Sequence, residues 1–138
     1  MVRILVLCTG NSCRSQMAEA YLRHFAGPRA EVASAGIEAH GLNPRAVATM
    51  REDGIDISGQ ASKTLDVFAD RSFDHIITVC DHAKENCPWF PGKAERHHFS
   101  FPDPARATGT TEEIATAFRQ VRDMIKACCE RFIRTELR

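Results

Sequence analysis

Val2-Arg3-Ile4-Leu5-Val6-Leu7-Cys8-Thr9-Gly10-Asn11-Ser12-Cys13-Arg14-Ser15 changes character halfway along. Val2–Leu7 is short, apolar and rich in β-branched residues, the composition of a buried strand. Cys8–Ser15 is a polar loop. Met17, Ala18, Tyr21, Leu22 and Phe25 then recur at helical spacing. A loop that leaves a strand and enters a helix turns successive backbone N–H groups inward and adds the positive end of the helix dipole. The resulting concavity fits a tetrahedral oxyanion, with Thr9, Gly10, Asn11, Ser12, Cys13 and Arg14 as its expected lining. Arg14 offers a planar fork to two oxygens, which Lys does not match. Gly10 is expected to supply an unusual backbone angle. The same field stabilises a thiolate: cysteines at helix N-termini or beside Arg reach pKa values of roughly 3.5–7.5, against about 8.5 when free. Ser15 is placed to donate a hydrogen bond to that thiolate. Cys8 is therefore the candidate nucleophile, with Arg14 and Ser15 as its catalytic companions. A buried cysteine before an ordinary loop would explain Cys8 but not Arg14 and Ser15 together.

Outward from this loop, apolar runs alternate with helical patterns, which predicts an α/β fold with a parallel sheet flanked by helices. Ala30–Ala35, Phe73–Val79 and His97–Phe101 read as the further strands. Asn43-Pro44 reads as a helix start, with Asn as cap and Pro at the first helical position. Ala46, Val47 and Met50 form that helix's apolar face, and Gly54 closes it. Thr110 followed by Glu113 predicts a capping box. Ile114, Phe118, Val121, Ile125, Cys128 and Phe132 then make one apolar stripe. Cys128 lies on that stripe and reads as core, whereas Cys129 lies off it and, if exposed, would oxidise adventitiously. In such sheets sites form beyond the carboxyl ends of strands. Cys8 and Cys80 both end predicted strands, so they are expected on one edge of the sheet.

The chain has 138 residues, 43% of them hydrophobic, which suits a single domain over 1–138 with a real core. Lys plus Arg and Asp plus Glu number 18 each. That balance points away from nucleic acid and from a membrane surface, so any anion site must be local. No signal peptide and no bilayer-length apolar run is visible, which predicts a cytoplasmic location. Thiols stay reduced there, so the six cysteines, Cys8, Cys13, Cys80, Cys87, Cys128 and Cys129, do not read as a structural disulfide framework.

The loop Cys8–Ser15 is similar to the active loop of low-molecular-weight protein tyrosine phosphatases. The longer run Cys8–Glu19 resembles the thioredoxin-coupled arsenate reductases that share their fold. So do Ser34-Ala35-Gly36-Ile37, His40-Gly41, Asn43-Pro44, Ile55-Asp56-Ile57-Ser58 and Phe101-Pro102-Asp103-Pro104, and the likeness runs nearly end to end. It implies a three-layer fold, a four-stranded parallel sheet with helices on both faces. It also implies arsenate as substrate, with phosphate or sulfate fitting the same loop, and thioredoxin as reductant; the chain itself is expected to be a monomer without cofactor or metal.

Cys80-Asp81-His82-Ala83-Lys84-Glu85-Asn86-Cys87-Pro88 matches the redox segment of the three-cysteine reductases. The implied chemistry is attack of Cys8 on arsenate with Asp103 as proton donor, a Cys8–Cys80 disulfide, then a Cys80–Cys87 disulfide. Residues seven apart on a helix stand about 10 Å apart along its axis. Disulfide Cα atoms lie within about 7 Å. A helical 81–87 would have to unwind, so a mobile segment is expected over 80–92. Taken singly, Cys80 reads as a core cysteine and Cys87 as a loop residue. A metal site with His82, His97 and His98 is the other plain alternative, although six intervening residues exceed the usual zinc spacing. Cys13 is expected to serve as packing, and His97 and His98 as ordinary strand residues. Asp103-Pro104 by itself is only a turn signal. In the phosphatases an aromatic usually follows nearby to hold the phosphotyrosine ring. Ala105-Arg106-Ala107 stands here instead, which favours a small inorganic oxyanion.

One departure concerns potassium. Some members of the resembled family bind it through residues matching Asn11, Glu19 and Ser34, plus an Asp. Lys63 occupies that last position here, so its ammonium is expected to replace the cation. Two other readings remain open: a low-molecular-weight tyrosine phosphatase working through a Cys8 phosphoenzyme, and an oxyanion-binding or thiol-sensing module. Neither gives Cys80 and Cys87 a task.

Overall fold

The computed structural model describes residues 1–81 and 88–137. Strands β1 (Val2–Cys8), β2 (Ala30–Gly36), β3 (His75–Thr78) and β4 (Glu95–His98) form one sheet in the order β2-β1-β3-β4. All three pairings are parallel. Helices α1 (Arg14–Ala26), α2 (Pro44–Glu52) and α3 (Thr111–Glu136) complete the frame. This is the α/β, four-stranded parallel architecture expected from the sequence. Cys87 and the rest of 82–87, the middle of the redox segment Cys80–Pro88 and part of the stretch expected to be mobile over 80–92, lie outside the described residues.

The period of two along β1 divides the interior. Ile4, Val6 and Cys8 join Val32, Ile77 and Val79 under α1, α2 and α3. Leu5 and Leu7 face the other way, onto Ala35, Ile76, Phe68, Phe73 and Phe90. There a short 3₁₀ helix, Leu65–Phe68, and edge-to-face contacts between the three phenylalanines cover the sheet. Both faces of β1 are dry, which explains its unbroken apolar run.

The helix ends follow the expected chemistry. The Asn43 side chain accepts from the N–H groups of Arg45 and Ala46, with Pro44 at the first helical position. Gly54, at φ 78°, ends α2. Thr110 Oγ1 accepts from Glu113 N at 3.1 Å, while Glu113 Oε1 accepts from Thr110 N at 3.1 Å, closing the capping box.

Three expectations shift. β3 is shorter than Phe73–Val79, and β4 lies two residues earlier than His97–Phe101, because it pairs with β3 from Glu95 onward. Phe101 instead gives its carbonyl to the active loop. The third shift is on α3, where Cys129 is buried and Cys128 only half-buried. A helix of 3.6 residues per turn drifts against a four-three repeat, by about 20° per heptad. After Phe118, Val121 and Ile125 the core-facing position has therefore moved to Cys129, whose thiol lies 3.8 Å from the Ala18 carbonyl. No helix of the described residues is long and apolar enough to cross a membrane.

Candidate active site

The strand order reverses direction between β1 and β3, and a crevice opens at the carboxyl ends of strands flanking such a point. Cys8 is the last residue of β1. Leu7 pairs with Thr78, and Val79 N donates to Leu7 O at 3.0 Å. Extending that register sets Cys8 beside Val79, with Cys80 one residue further out. The topology thus brings to adjacent strand ends two cysteines that are far apart in the chain.

Residues 9–13 form a cup between β1 and α1. A second loop, 36–43, holds the cup from outside: Glu38 N donates to Thr9 O, His40 N to Gly10 O and Asn43 N to Ser12 O, all at 3.0–3.1 Å. In a planar trans peptide the N–H points away from the C=O. Carbonyls tied outward therefore leave N–H edges facing the concavity. The cavity holds about 270 Å³ and is lined by Cys8 through Arg14, with His40, Asp103, Ala105 and Arg106.

Asn11 is the hinge of the cup. It is the one described non-glycine residue at positive φ, 48°, a conformation Asn tolerates better than most. Its fully buried side chain explains why the strain persists. Asn11 Nδ2 donates to Ser15 Oγ (2.8 Å) and Ser34 Oγ (2.9 Å). Its Oδ1 accepts from Lys63 N (2.9 Å) and Gln16 Nε2 (3.1 Å). Gln16 Nε2 also reaches the carbonyls of Asn11 and Ala61, each at 3.0 Å. The chain of bonds continues from Ser34 Oγ to Glu19 Oε1 at 2.6 Å. Glu19 pairs with Arg23 at 2.8 Å and faces Lys63 Nζ at 3.9 Å.

Glycine is needed at Gly10 for a different reason from the one predicted. Its φ is not positive. A Cβ there would stand 2.4 Å from His40 Nδ1, so the residue is small because the His40 ring lies over it. Gly36 is tighter: a Cβ would meet Thr9 O at 2.6 Å, Glu38 O at 2.7 Å and Asn11 N at 2.9 Å, all backbone. The sequence signals the second requirement only weakly, as a glycine closing a strand.

Arg14 opens α1 and is buried, 3% exposed. Its guanidinium is aimed by the Phe101 carbonyl (3.1 Å) and by Asp103 Oδ2 (3.5 Å). Asp103 caps the 3₁₀ turn Pro104–Arg106, accepting from Ala105 N at 3.0 Å, and its side chain is about one-fifth exposed. Arg106 stands 3.8 Å from the same carboxylate and brings a second cation to the rim. Ser15 is fully buried and accepts from Asn11. Its hydroxyl hydrogen is thus directed to another acceptor.

Cys8, Cys13, Cys128 and Cys129 are not in disulfides, whereas Cys80 is disulfide-bonded. Burial pushes the Cys13 thiol up to about 12, with the Ser12 hydroxyl pulling the other way. At neutral pH Cys13 is a packed thiol, not a nucleophile. The structure thus gathers Cys8 through Ser15 and Asp103 at one cup, with Cys80 at the neighbouring strand end. Sequence reading does not single out Gln16, whose partners Ala61 and Gln60 are distant in the chain, or Arg106, which reaches the cup's rim beside Asp103. Metal-ligating residue types converge elsewhere, at His75, Glu95, His97 and Glu136.

An arsenate reductase of Halalkalibacterium halodurans is 51% identical over 132 residues, 96% of this chain and 95% of that one. One of Bacillus subtilis is 49% identical over the same shares. Among solved structures, an arsenate reductase in the phosphate binding state superposes with a TM-score of 0.79 at 31% identity. Another in the oxidized state reaches 0.81, also at 31%. Each covers 97% of this chain and 98% of its own. The profile described as low molecular weight phosphotyrosine protein phosphatase matches residues 3–138. Over essentially its whole length, then, the chain belongs to the low molecular weight phosphotyrosine protein phosphatase family, alongside that family's arsenate reductases.

Proposed function

We propose that the protein is a cytoplasmic, monomeric, single-domain arsenate reductase, with Cys8 as nucleophile and Cys80 and Cys87 as a disulfide relay emptied by thioredoxin. The observation that carries the reading is the pairing of the oxyanion cup with Cys80 at the adjacent strand end, in a chain about half identical to named arsenate reductases over nearly its full length. A phosphatase needs the cup and an acid but has no use for the second cysteine.

The Cys8 thiolate attacks As(V) in the cup, and water leaves with a proton from Asp103. N–H groups from 9–14 and the Arg14 fork hold the remaining oxygens, stabilising charge where it develops. The Ser15 hydroxyl donates to Cys8. The Cys80 thiolate then attacks the Cys8 sulfur. The electron pair of the S–As bond stays with arsenic, which departs as arsenite, and a Cys8–Cys80 disulfide remains. Cys87 attacks Cys80, forming Cys80–Cys87 and releasing the Cys8 thiolate. Thioredoxin's dithiol takes up that disulfide. A reduced Cys8 and a disulfide-bonded Cys80 are consistent with the last stage of this cycle.

The test is arsenate-dependent NADPH oxidation with thioredoxin and its reductase, for the parent and for Cys→Ser variants at 8, 80 and 87. The expected result is loss of turnover in all three. Full activity in Cys87→Ser would break the relay. Full activity in Cys80→Ser would replace it with a single-cysteine mechanism using an external thiol.

A further inference from the structure

At the opposite side of β3 from β1, the sheet edge carries a cluster that the oxyanion chemistry does not use. His75 pairs with Glu95, and Ile77 with His97, across parallel strands. Directly paired residues of a parallel ladder point to one face, and so do residues two apart on a strand. His75, Glu95 and His97 therefore emerge together on the face covered by α3. The last turns of α3 lie over them: Phe132 packs edge-on against both imidazoles, with centroids 5.3 and 4.9 Å away. Glu136, four residues on, falls on the same side of the helix.

We propose that His75, His97, Glu95 and Glu136 form a binding site for a divalent transition-metal cation of the zinc class, clamping the end of α3 to the sheet edge. One ligand atom from each of the four lies within 4.8 Å of all the others. Ligands about 2.0–2.2 Å from a tetrahedral zinc stand roughly 3.3–3.6 Å apart. His75 Nδ1 and His97 Nε2 are already 3.1 Å apart, and His75 Nδ1 is 3.7 Å from Glu95 Oε2. Among the described residues, neither carboxylate has a Lys or Arg ion partner, so two negative groups converge on two imidazoles without a balancing cation. Two nitrogens and two carboxylate oxygens suit zinc and its neighbours in the first transition row, and not magnesium or calcium. His75 is buried while Glu95 is exposed, so the site has a packed floor and an open entry. The strand pairing and the Phe132 edge contacts hold the imidazoles in place.

The test is zinc titration by calorimetry on the chelator-treated full chain, with cobalt(II) as a spectroscopic probe. One equivalent is expected to bind and to raise the thermal midpoint. His75→Gln, His97→Gln and Glu136→Gln should each weaken binding at least tenfold. Because His75 is buried, the half-buried variant Glu136→Gln, checked for unchanged metal-free unfolding, keeps the test sound should His75→Gln misfold. The chain with Ser at 8, 80 and 87 should bind as the parent does, and the cobalt form should lack a thiolate charge-transfer band. No saturable binding, unchanged affinity in the Gln variants, or loss of binding with the Ser substitutions would each overturn the proposal.

Discussion

Lys63 is where a single side chain decides how the cup is supported. Its ammonium lies 3.9 Å from Glu19 Oε1 and 2.8 Å from the Ala61 carbonyl, and its N–H holds Asn11 Oδ1. Burial lowers its pKa from the ordinary lysine value, and Glu19 pulls it back up. Together with Arg23, which is closer at 2.8 Å, the cation balances a buried carboxylate that, through Ser34, orients Asn11. Arsenate turnover is therefore expected to be the same in potassium and sodium salts at matched ionic strength. Lys63→Asp should slow it and introduce stimulation by potassium, read from initial rates in the two salts. Gly36 acts through space instead of charge. An added Cβ would collide with backbone on both loops, where no flexible side-chain end can yield. Gly36→Ala should displace the cup and lower kcat/KM by up to about 100-fold, the loss that a misplacement of about 1 Å can cause. Circular dichroism should remain that of the parent.

The helices are tied to one another by an element-level junction. Tyr21 of α1 donates to Asp53 Oδ2 at 2.8 Å, just beyond α2, and Lys126 of α3 reaches the same carboxylate at 2.9 Å. These two bonds, Lys126 first, hold the Asp53 carboxyl below the usual carboxylate value. A lowered native pKa means that the stabilisation is present above the unfolded value of about 3.9 and is lost as pH falls below it. Asp53→Asn should cost about 1 kcal/mol at pH 7, after allowance for partial exposure. Urea titrations should show the gap from the parent closing in acid below the unfolded value. Much at this scale was legible in the sequence. Asn43-Pro44, Gly54, and Thr110 with Glu113 marked helix ends through strictly local chemistry. Elements positioned by distant partners were not. β4 is set by its register on β3, and the choice of Cys129 over Cys128 is set by helical drift against α1. Gln16 looks like any helical glutamine until Asn11, Ala61 and Gln60 surround it. The Cys8 loop was legible because Cys8, Arg14 and Ser15 are close in sequence as well as in space, whereas the residues that brace it, such as Ser34, Lys63 and Phe101, come from far along the chain.

Across the whole molecule, the sheet order divides the proposed reaction between two strand ends. The β1 end carries the cup and Arg14, which suffice to bind and attack a tetrahedral centre. The β3 end carries Cys80, needed only when the adduct must be reduced. Phosphate and arsenate share shape and charge, but phosphorus does not accept the electron pair from the sulfur bond under these conditions, so a phosphoryl adduct can leave only by hydrolysis. The two activities should therefore separate along the boundary between β1 and β3. Cys8→Ser is expected to abolish both arsenate reduction and hydrolysis of p-nitrophenyl phosphate. Cys80→Ser should abolish reduction while leaving that hydrolysis unchanged, because no residue of the cup is altered. Asp103→Asn should depress both, since each needs a proton delivered to a departing oxygen, and Asp103 also helps to aim Arg14. Steady-state rates on the two substrates for the three variants would test the division. Equal loss of both activities in Cys80→Ser would mean that the β3 end helps to build the cup, so that the two functions are not separable by strand.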